Sequence, residues 1–320
     1  MSNSNTKKPL VVILGPTASG KTGWAMKLCQ KFSTQGGGEI VSADSRQIYR
    51  GMDIGTAKTR ELGIKNTELR IDDGINQHLV DIVDPDESFT LSDYKKLAIE
   101  KINDIHDRGK VPFLVGGTGL YISAIVDNLD IPEVAPDKKL RAELEKKSTQ
   151  DLQTELKNLD PISYEKIDLN NRRRLIRAIE VCEITGEPFS SLRKKGEPLF
   201  NVLQIGIHTD KKVLDGKINR RVDEMIANGL VDEVKKLSTK YSSDLPSMSG
   251  IGYAELNVHF NAHLTLEQAI DLIKVHTRQY AKKQMTWFRR DDRIRWISDY
   301  DEAELLVKRH LCNNDTHCLN

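Results

Sequence analysis

No part of this 320-residue sequence is apolar for long. The longest such run, Val11 to Leu14 with Pro9 and Leu10 before it, falls far short of the roughly 20 residues that a spanning helix needs, so no transmembrane segment is expected. The polar start MSNSNTKKP leads through that run into a glycine-rich loop without a small-residue cleavage site, so no secretory signal is expected and the cytoplasm is the expected compartment. Cysteine is scarce. The four residues Cys29, Cys182, Cys312 and Cys318 share no repeated short spacing, which excludes a disulfide framework and fits a reducing compartment. His310, Cys312, His317 and Cys318 crowd the end of the chain, but a zinc site is not expected there, because no CxxC pair or helix signal would hold four ligands tetrahedrally. A charge excess is also lacking: 48 basic against 47 acidic residues leave +1, so bulk charge gives no argument for a nucleic-acid partner. No internal repeat or low-complexity tract is visible.

What is present is the composition of a folded soluble chain, 38% hydrophobic and 30% charged with a mean hydropathy of -0.48, long enough for one large or two joined domains. Strand-like runs at Leu10 to Leu14, Glu39 to Ala43, Val80 to Val83 and Val111 to Val115 alternate with amphipathic stretches. Ser92 to Arg108 is one such helix, with Ser and Asp in N-cap positions and Gly109 as its stop. This rhythm predicts an α/β fold in which helices cover both faces of a parallel sheet. It lapses after Leu129, where Ile131-Pro132 and Ala135-Pro136 interrupt the chain. Charged helical sequence without strand signals then runs to Gly186-Glu187-Pro188. Strand character returns at Leu199 to Ile207, and a last short strand is predicted at Ile294 to Ile297 after mostly helical sequence broken at Gly229 and Gly250. The expected domains are a discontinuous core of residues 9–130 and 196–300, a helical insertion of residues 131–195, and a tail of residues 301–320.

Gly15-Pro16-Thr17-Ala18-Ser19-Gly20-Lys21-Thr22 fits G-x-x-x-x-G-K-[ST] between a buried-looking strand and a helix carrying Trp24, Ala25, Leu28 and Cys29. In such a loop the backbone amides surround phosphate oxygens at a helix N-terminus, Lys21 adds positive charge, and the Thr22 hydroxyl can ligate Mg²⁺. The pattern does not say whose phosphate is held. Asp81 and Asp84 are candidates for a Walker-B-like carboxylate, but no guanine-reading motif and no arginine-rich lid accompanies them.

Ligands of open α/β sheets sit beyond the carboxyl ends of the strands. Asp44 stands where the second strand should stop, near the tip of the phosphate loop if the two strands are neighbours; a helix N-cap is its alternative reading. Thr118, in Val115-Gly116-Gly117-Thr118-Gly119, stands likewise after the fourth strand, with a capped tight turn as the alternative.

Taken in order and spacing, GPTASGKT, ADSRQIYRGMDIGTAK, HLVDIVDP, LVGGTGLY, NRRRLIRAIE, GIGYAE and RQYAKKQMTWFRR closely resemble the tRNA dimethylallyltransferases (tRNA isopentenyltransferases) over roughly residues 9 to 296. The resemblance implies a P-loop NTPase-like core and transfer of a dimethylallyl group from dimethylallyl diphosphate to N6 of adenosine 37, beside the tRNA anticodon, with Mg²⁺. It also implies that the loop holds the donor's diphosphate and not a nucleoside triphosphate. By the same resemblance Asp44 is the general base and Thr118 approaches the target adenine. Asp44, Ser45, Arg46 and Gln47 are the acceptor-contacting stretch, Arg141 and the run Arg173, Arg174, Leu175, Ile176 and Arg177 are tRNA contacts, and Arg221 lies near the diphosphate. Two departures stand out: Ala254 replaces the longer polar residue common after IGY, and the zinc-finger extension of many eukaryotic members is not seen, which points to a bacterial-type or organellar-type enzyme.

The chemistry suits these groups. An exocyclic adenine amine is a poor nucleophile whose proton a carboxylate can accept as the C–N bond forms, and the diphosphate leaving group gathers negative charge that Lys21, the loop amides and Mg²⁺ can meet. Reaching N6 requires the base to leave its stack, which is easier in a single-stranded anticodon loop than in a duplex. Arg172, Arg173, Arg174 and Arg177 form a basic cluster, with Arg173 and Arg177 on one helical face and Leu175, Ile179 and Cys182 on another. Arg278 to Trp296 forms a second basic stretch interleaved with Tyr280, Trp287, Phe288 and Trp296, aromatics that read first as core. A monomer is expected. The rival readings are an adenylate isopentenyltransferase, which would not need the Arg141 and Arg173 to Arg177 surface, and a P-loop phosphotransferase, which would act without a prenyl diphosphate.

Overall fold

In this computed structural model the first strand, β1 (Pro9–Leu14), is wholly buried after its first residue, and its alternating side chains supply both faces of the sheet. Residues 7–32, 37–58, 69–72, 74–132, 134, 137–192 and 194–312 are described. They divide into two compact units, Met1–Val126 with Leu199–Asn320, and Asp127–Pro198.

The first unit is a P-loop-type α/β fold. Its strands β1, β2 (Gly38–Ala43), β3 (Leu69–Asp72), β4 (Ile75–His78), β5 (Val111–Gly116), β6 (Asn201–Ile207) and β7 (Arg295–Ile297) form one sheet in the order β3-β4-β2-β5-β1-β6-β7. Every pairing is parallel except that of β3 with β4. Leu10, Val12 and Leu14 face one side, under α2 (Leu91–Asp107) and α3 (Gly119–Val126). Val11 and Ile13 face the other, under α1 (Lys21–Lys31) and α12 (Tyr300–Cys312). A third apolar cluster joins the segment Ile48 to Met52 with α8 (Lys211–Ala227), α9 (Leu230–Ser238), α10 (Tyr253–Phe260) and α11 (Leu266–Phe288), beyond the carboxyl ends of the strands.

The second unit contains α4 (Lys138–Lys146), α5 (Thr149–Leu159), α6 (Pro161–Lys166) and α7 (Arg172–Thr185) around Leu144, Leu152, Leu156, Leu175 and Ile179. Its helices start at side-chain caps: Asp137, Ser148, Asp160 and Asn171 each accept from first-turn amides.

Three expectations are corrected. Val80 to Val83 is not a strand, since Leu79 and Asp81 have φ of 61° and 59°; the strand lies earlier, at Ile75–His78. Its polar side chains Asn76 and His78 reach Glu39, which is 0% exposed and also paired with Arg108 and Lys110, so the sequence lacked an apolar signature there. Helix α2 is capped by Thr90 and not by Ser92, with Asp93 closing a capping box. The tail assigned to residues 301–320 is a helix as far as Cys312, held on the sheet by Ala303, Val307 and Leu311 at helical spacing. His310 Nε2 lies 3.1 Å from the Asn201 carbonyl, while His317 and Cys318 lie outside the described residues.

Candidate active site

Helix α1 follows Gly20 as its N-cap, whose φ of 93° is open to glycine at little cost, and it has no side-chain cap. Its first-turn amides therefore face the loop without an intrahelical or capping partner, the arrangement that receives an anion at a helix N-terminus. The Ser19 hydroxyl is buried beside them with no hydrogen-bond partner. Lys21 folds back over the loop and donates to the Pro16 carbonyl at 2.8 Å. Burial lowers its pKa to about 8; Asp44 raises it and Arg221 lowers it further. Burial also lowers Arg221, with Asp44 opposing. Two cations and one carboxylate thus share a site with a net affinity for anions.

Asp44 follows β2 directly. Strand β5 separates β2 from β1, so the two strands are not neighbours, yet Asp44, Ser45 and Arg46 line the same cavity as Thr17 and Arg221. The cavity measures about 250 Å³, and its far wall is apolar, with Ile218, Val222, Met225 and Ile273. The Asp44 Oδ1 accepts from the Arg46 amide at 2.9 Å, so the turn itself holds the carboxylate. Arg46 in turn donates to the carbonyls of Pro246 at 2.7 Å and Ser247 at 3.1 Å. Thr118, just past β5, accepts from the Ser45 amide at 3.0 Å, and its own amide donates to the Ala43 carbonyl at 3.1 Å. Gln47 accepts from Ser42 at 3.1 Å and donates to the Thr56 carbonyl at 3.2 Å. Thr118 is thus bonded to the turn of Asp44, Ser45 and Arg46, and Gln47 ties the end of that turn to Ser42 and to the Thr56 carbonyl.

The loop that carries Gly55 and Thr56 into the cavity is fastened from behind. Glu233 accepts from the amides of Asp53 at 3.0 Å, Ile54 at 2.7 Å and Gly55 at 3.1 Å, and from the Tyr253 hydroxyl at 2.7 Å. Lys58, with its side chain fully buried, bonds to the Tyr49 carbonyl and lies 2.5 Å from Asp81. Asp81 is engaged by that lysine, Asp84 lies 3.6 Å from Arg50, and neither carboxylate lines the cavity.

In the second unit the arginines divide. Arg141 grips the buried Glu180 with two bonds at 2.7 and 2.8 Å, and Arg177 adds a third at 2.6 Å. Leu175 and Ile176 lie in the apolar core, so their side chains are not offered to a ligand. Arg173 and Arg174 are exposed. Sequence reasoning also missed residues of α11: Thr277 and Tyr280 line the cavity, and burial pushes the Tyr280 hydroxyl up to about 12. Thr277 falls between the buried Ile273 and Ala281 at helical spacing, and a polar residue there is a signal that would have found it; Tyr280, 38% exposed, carries no such signal.

No cluster of three or more carboxylate, histidine or cysteine ligands occurs among the described residues. The donors that fit Mg²⁺ are few and hard: the Thr22 hydroxyl on the first turn of α1, beside an unpartnered Ser19 hydroxyl and an anion site. That set suits a cation that keeps most of its shell as water and phosphate oxygens.

The family model described as IPP transferase matches residues 47–291. The chain belongs to that family. It is 42% identical to the tRNA dimethylallyltransferase of Pelotomaculum thermopropionicum, over 96% of this chain and 97% of that one. Among solved structures, the tRNA isopentenylpyrophosphate transferase of Bacillus halodurans is 39% identical, with a TM-score of 0.68 over 96% of this chain and 97% of its own. A eukaryotic dimethylallyltransferase acting on tRNA is 28% identical, with a TM-score of 0.71 over 88% of this chain and 69% of its own. Among the described residues, no helix is long and apolar enough to cross a membrane.

Proposed function

We propose that this chain is a tRNA dimethylallyltransferase that moves the dimethylallyl group of dimethylallyl diphosphate to N6 of adenosine 37 and releases diphosphate. The observation that carries this reading is the shared cavity: the tip of the phosphate loop, Asp44 and Arg221 line one space with an apolar wall. An allylic diphosphate needs both halves of that space, a cationic end for the diphosphate and an apolar end for the five-carbon tail.

In this reading the first-turn amides of α1, Ser19, Lys21 and Arg221 hold the diphosphate and take up its growing charge as it leaves. Asp44, fixed by the Arg46 amide, accepts the proton that N6 loses as the C–N bond forms. Thr118, whose hydroxyl accepts from Ser45, stands where it can orient the adenine. Mg²⁺ held by Thr22 would supply further neutralisation of the diphosphate when bound. The exposed Arg173 and Arg174 would contact the phosphates of the anticodon stem-loop, whereas Arg141 and Arg177 act through the fold of their own unit. The reading takes the protein as a cytoplasmic monomer.

Labelled dimethylallyl diphosphate with Mg²⁺ and either an unmodified tRNA or AMP tests the proposal. Label in tRNA and none in AMP is the expected result. Label in AMP alone would make the chain an adenylate isopentenyltransferase, and ATP-dependent phosphate transfer without the prenyl donor would make it a phosphotransferase.

A further inference from the structure

Gln284 lies on α11 with 6% of its surface exposed, and both ends of its amide are used. Oε1 accepts from the amide of Thr17 at 2.8 Å, at the tip of the phosphate loop. Nε2 donates to the carbonyl of Gly117 at 2.9 Å, next to Thr118. The orientation of the side chain follows from its partners, since an N–H can only donate and a carbonyl can only accept. The two partners lie 267 and 167 residues away in sequence, and both flank the proposed reaction centre.

Close packing on the same face of α11 keeps the helix there. A side chain at Gly117 would meet Gln284 Nε2 at 2.3 Å, and one at Gly119 would meet the Trp287 ring at 2.2 Å, so both glycines are needed for the helix to approach the turn. Ala281, one turn before Gln284 on α11, packs in a cluster that takes in Ala18 of the phosphate loop. The helix thus touches the loop beside the bond to Thr17. With the Thr17 amide already engaged, a diphosphate is left with the amides that follow it.

We propose that Gln284 is a positioning residue that locks the tip of the phosphate loop to the turn carrying Thr118, so that donor and acceptor are held in register for transfer. Its role in transfer rests on the function proposed above; the lock itself does not. The effect belongs in turnover more than in affinity: each substrate can still dock when the lock is absent, while the alignment of the reacting atoms suffers.

Two variants separate the bonds. Gln284→Met keeps the length and removes both, and Gln284→Glu keeps an acceptor for Thr17 but faces the Gly117 carbonyl with an oxygen. Amide hydrogen exchange in the substrate-free protein reads the lock directly. In Gln284→Met, peptides covering residues 15–19 and 116–120 should both exchange faster, by about tenfold. In Gln284→Glu only the second should. In the transfer assay Gln284→Met should lose at least about tenfold in kcat, with the dissociation constants of donor and tRNA each within about threefold of wild type. Wild-type exchange in both peptides of Gln284→Met overturns the lock. Faster exchange with unchanged kcat, or a loss of activity no larger than the loss of folded protein, overturns the positioning role. If the wild-type protein transfers nothing to tRNA, the functional reading fails instead, and the exchange contrast alone decides the lock.

Discussion

Replacing Glu233 should both weaken the fold and disorder the cavity wall, because one carboxylate there holds four donors from two segments. In Glu233→Ala three backbone amides and the Tyr253 hydroxyl lose their acceptor. Glu233 is half-buried, so water can replace part of what is lost, and about 1 kcal/mol for each of the four bonds is reasonable, giving a destabilisation of about 3–4 kcal/mol. Glu233→Gln keeps one oxygen and places an N–H group against another N–H, so it should cost about half as much. Tyr253→Phe removes a single bond and should cost about 1 kcal/mol. All three tryptophans of the chain, Trp24, Trp287 and Trp296, belong to the unit that contains Glu233, so tryptophan fluorescence in urea follows the unfolding of that unit. The order Ala, then Gln, then Phe is expected. Glu233→Ala within about 0.5 kcal/mol of wild type would refute the idea that this carboxylate organises the loop of Gly55 and Thr56.

Asp44→Asn should lower kcat by about 10²- to 10⁴-fold while donor and tRNA dissociation constants stay within a few-fold, measured by single-turnover transfer and direct binding. The lowered pKa of Lys21 makes donor binding pH-dependent: the lysine is charged below about 8, so affinity should fall as pH rises through that value, with proton uptake on binding, and Lys21→Met should flatten the profile in calorimetry. The same shift acts oppositely on stability, because between about 8 and 10.5 the unfolded chain binds more protons at this residue; its contribution therefore rises with pH in the donor-free protein. Neutralising Arg173 and Arg174 together should weaken tRNA binding and reduce the salt slope by about 1.4–1.8, whereas Arg141→Ala should destabilise its own unit by about 2 kcal/mol, since Glu180 is left buried without its two-bond partner.

The sequence was most legible where one short segment carries a whole device. The phosphate loop, its strand and its helix are contiguous, and Asp44 and Thr118 each follow a strand whose apolar run is plain. Legibility failed where the deciding partner is distant. Strand β4 is polar because Asn76 and His78 hydrogen-bond to the buried Glu39, and the apolar run that follows it reads as the strand instead. The shared partner of Arg141 and Arg177 was hidden in the same way, because Glu180 lies 39 residues from Arg141 along the chain. Gln284 was hidden in a basic, aromatic stretch, although it falls on the buried stripe of Ala269, Ile273, Ala281 and Phe288. A polar residue on such a stripe is either paired or costly, and here both ends of its amide are paired.

The central claim is prenyl transfer from the phosphate-loop cavity to a tRNA adenine with Asp44 as the base. Its most direct test is mass spectrometry of the nucleosides and nuclease fragments of an unmodified tRNA incubated with the protein, dimethylallyl diphosphate and Mg²⁺, alongside the same reaction with Asp44→Asn. One added C5H8 unit is expected on the adenosine that follows the anticodon, formed by the wild-type protein and almost absent with the variant. Unmodified tRNA from the wild-type reaction, or equal modification by both proteins, would contradict it.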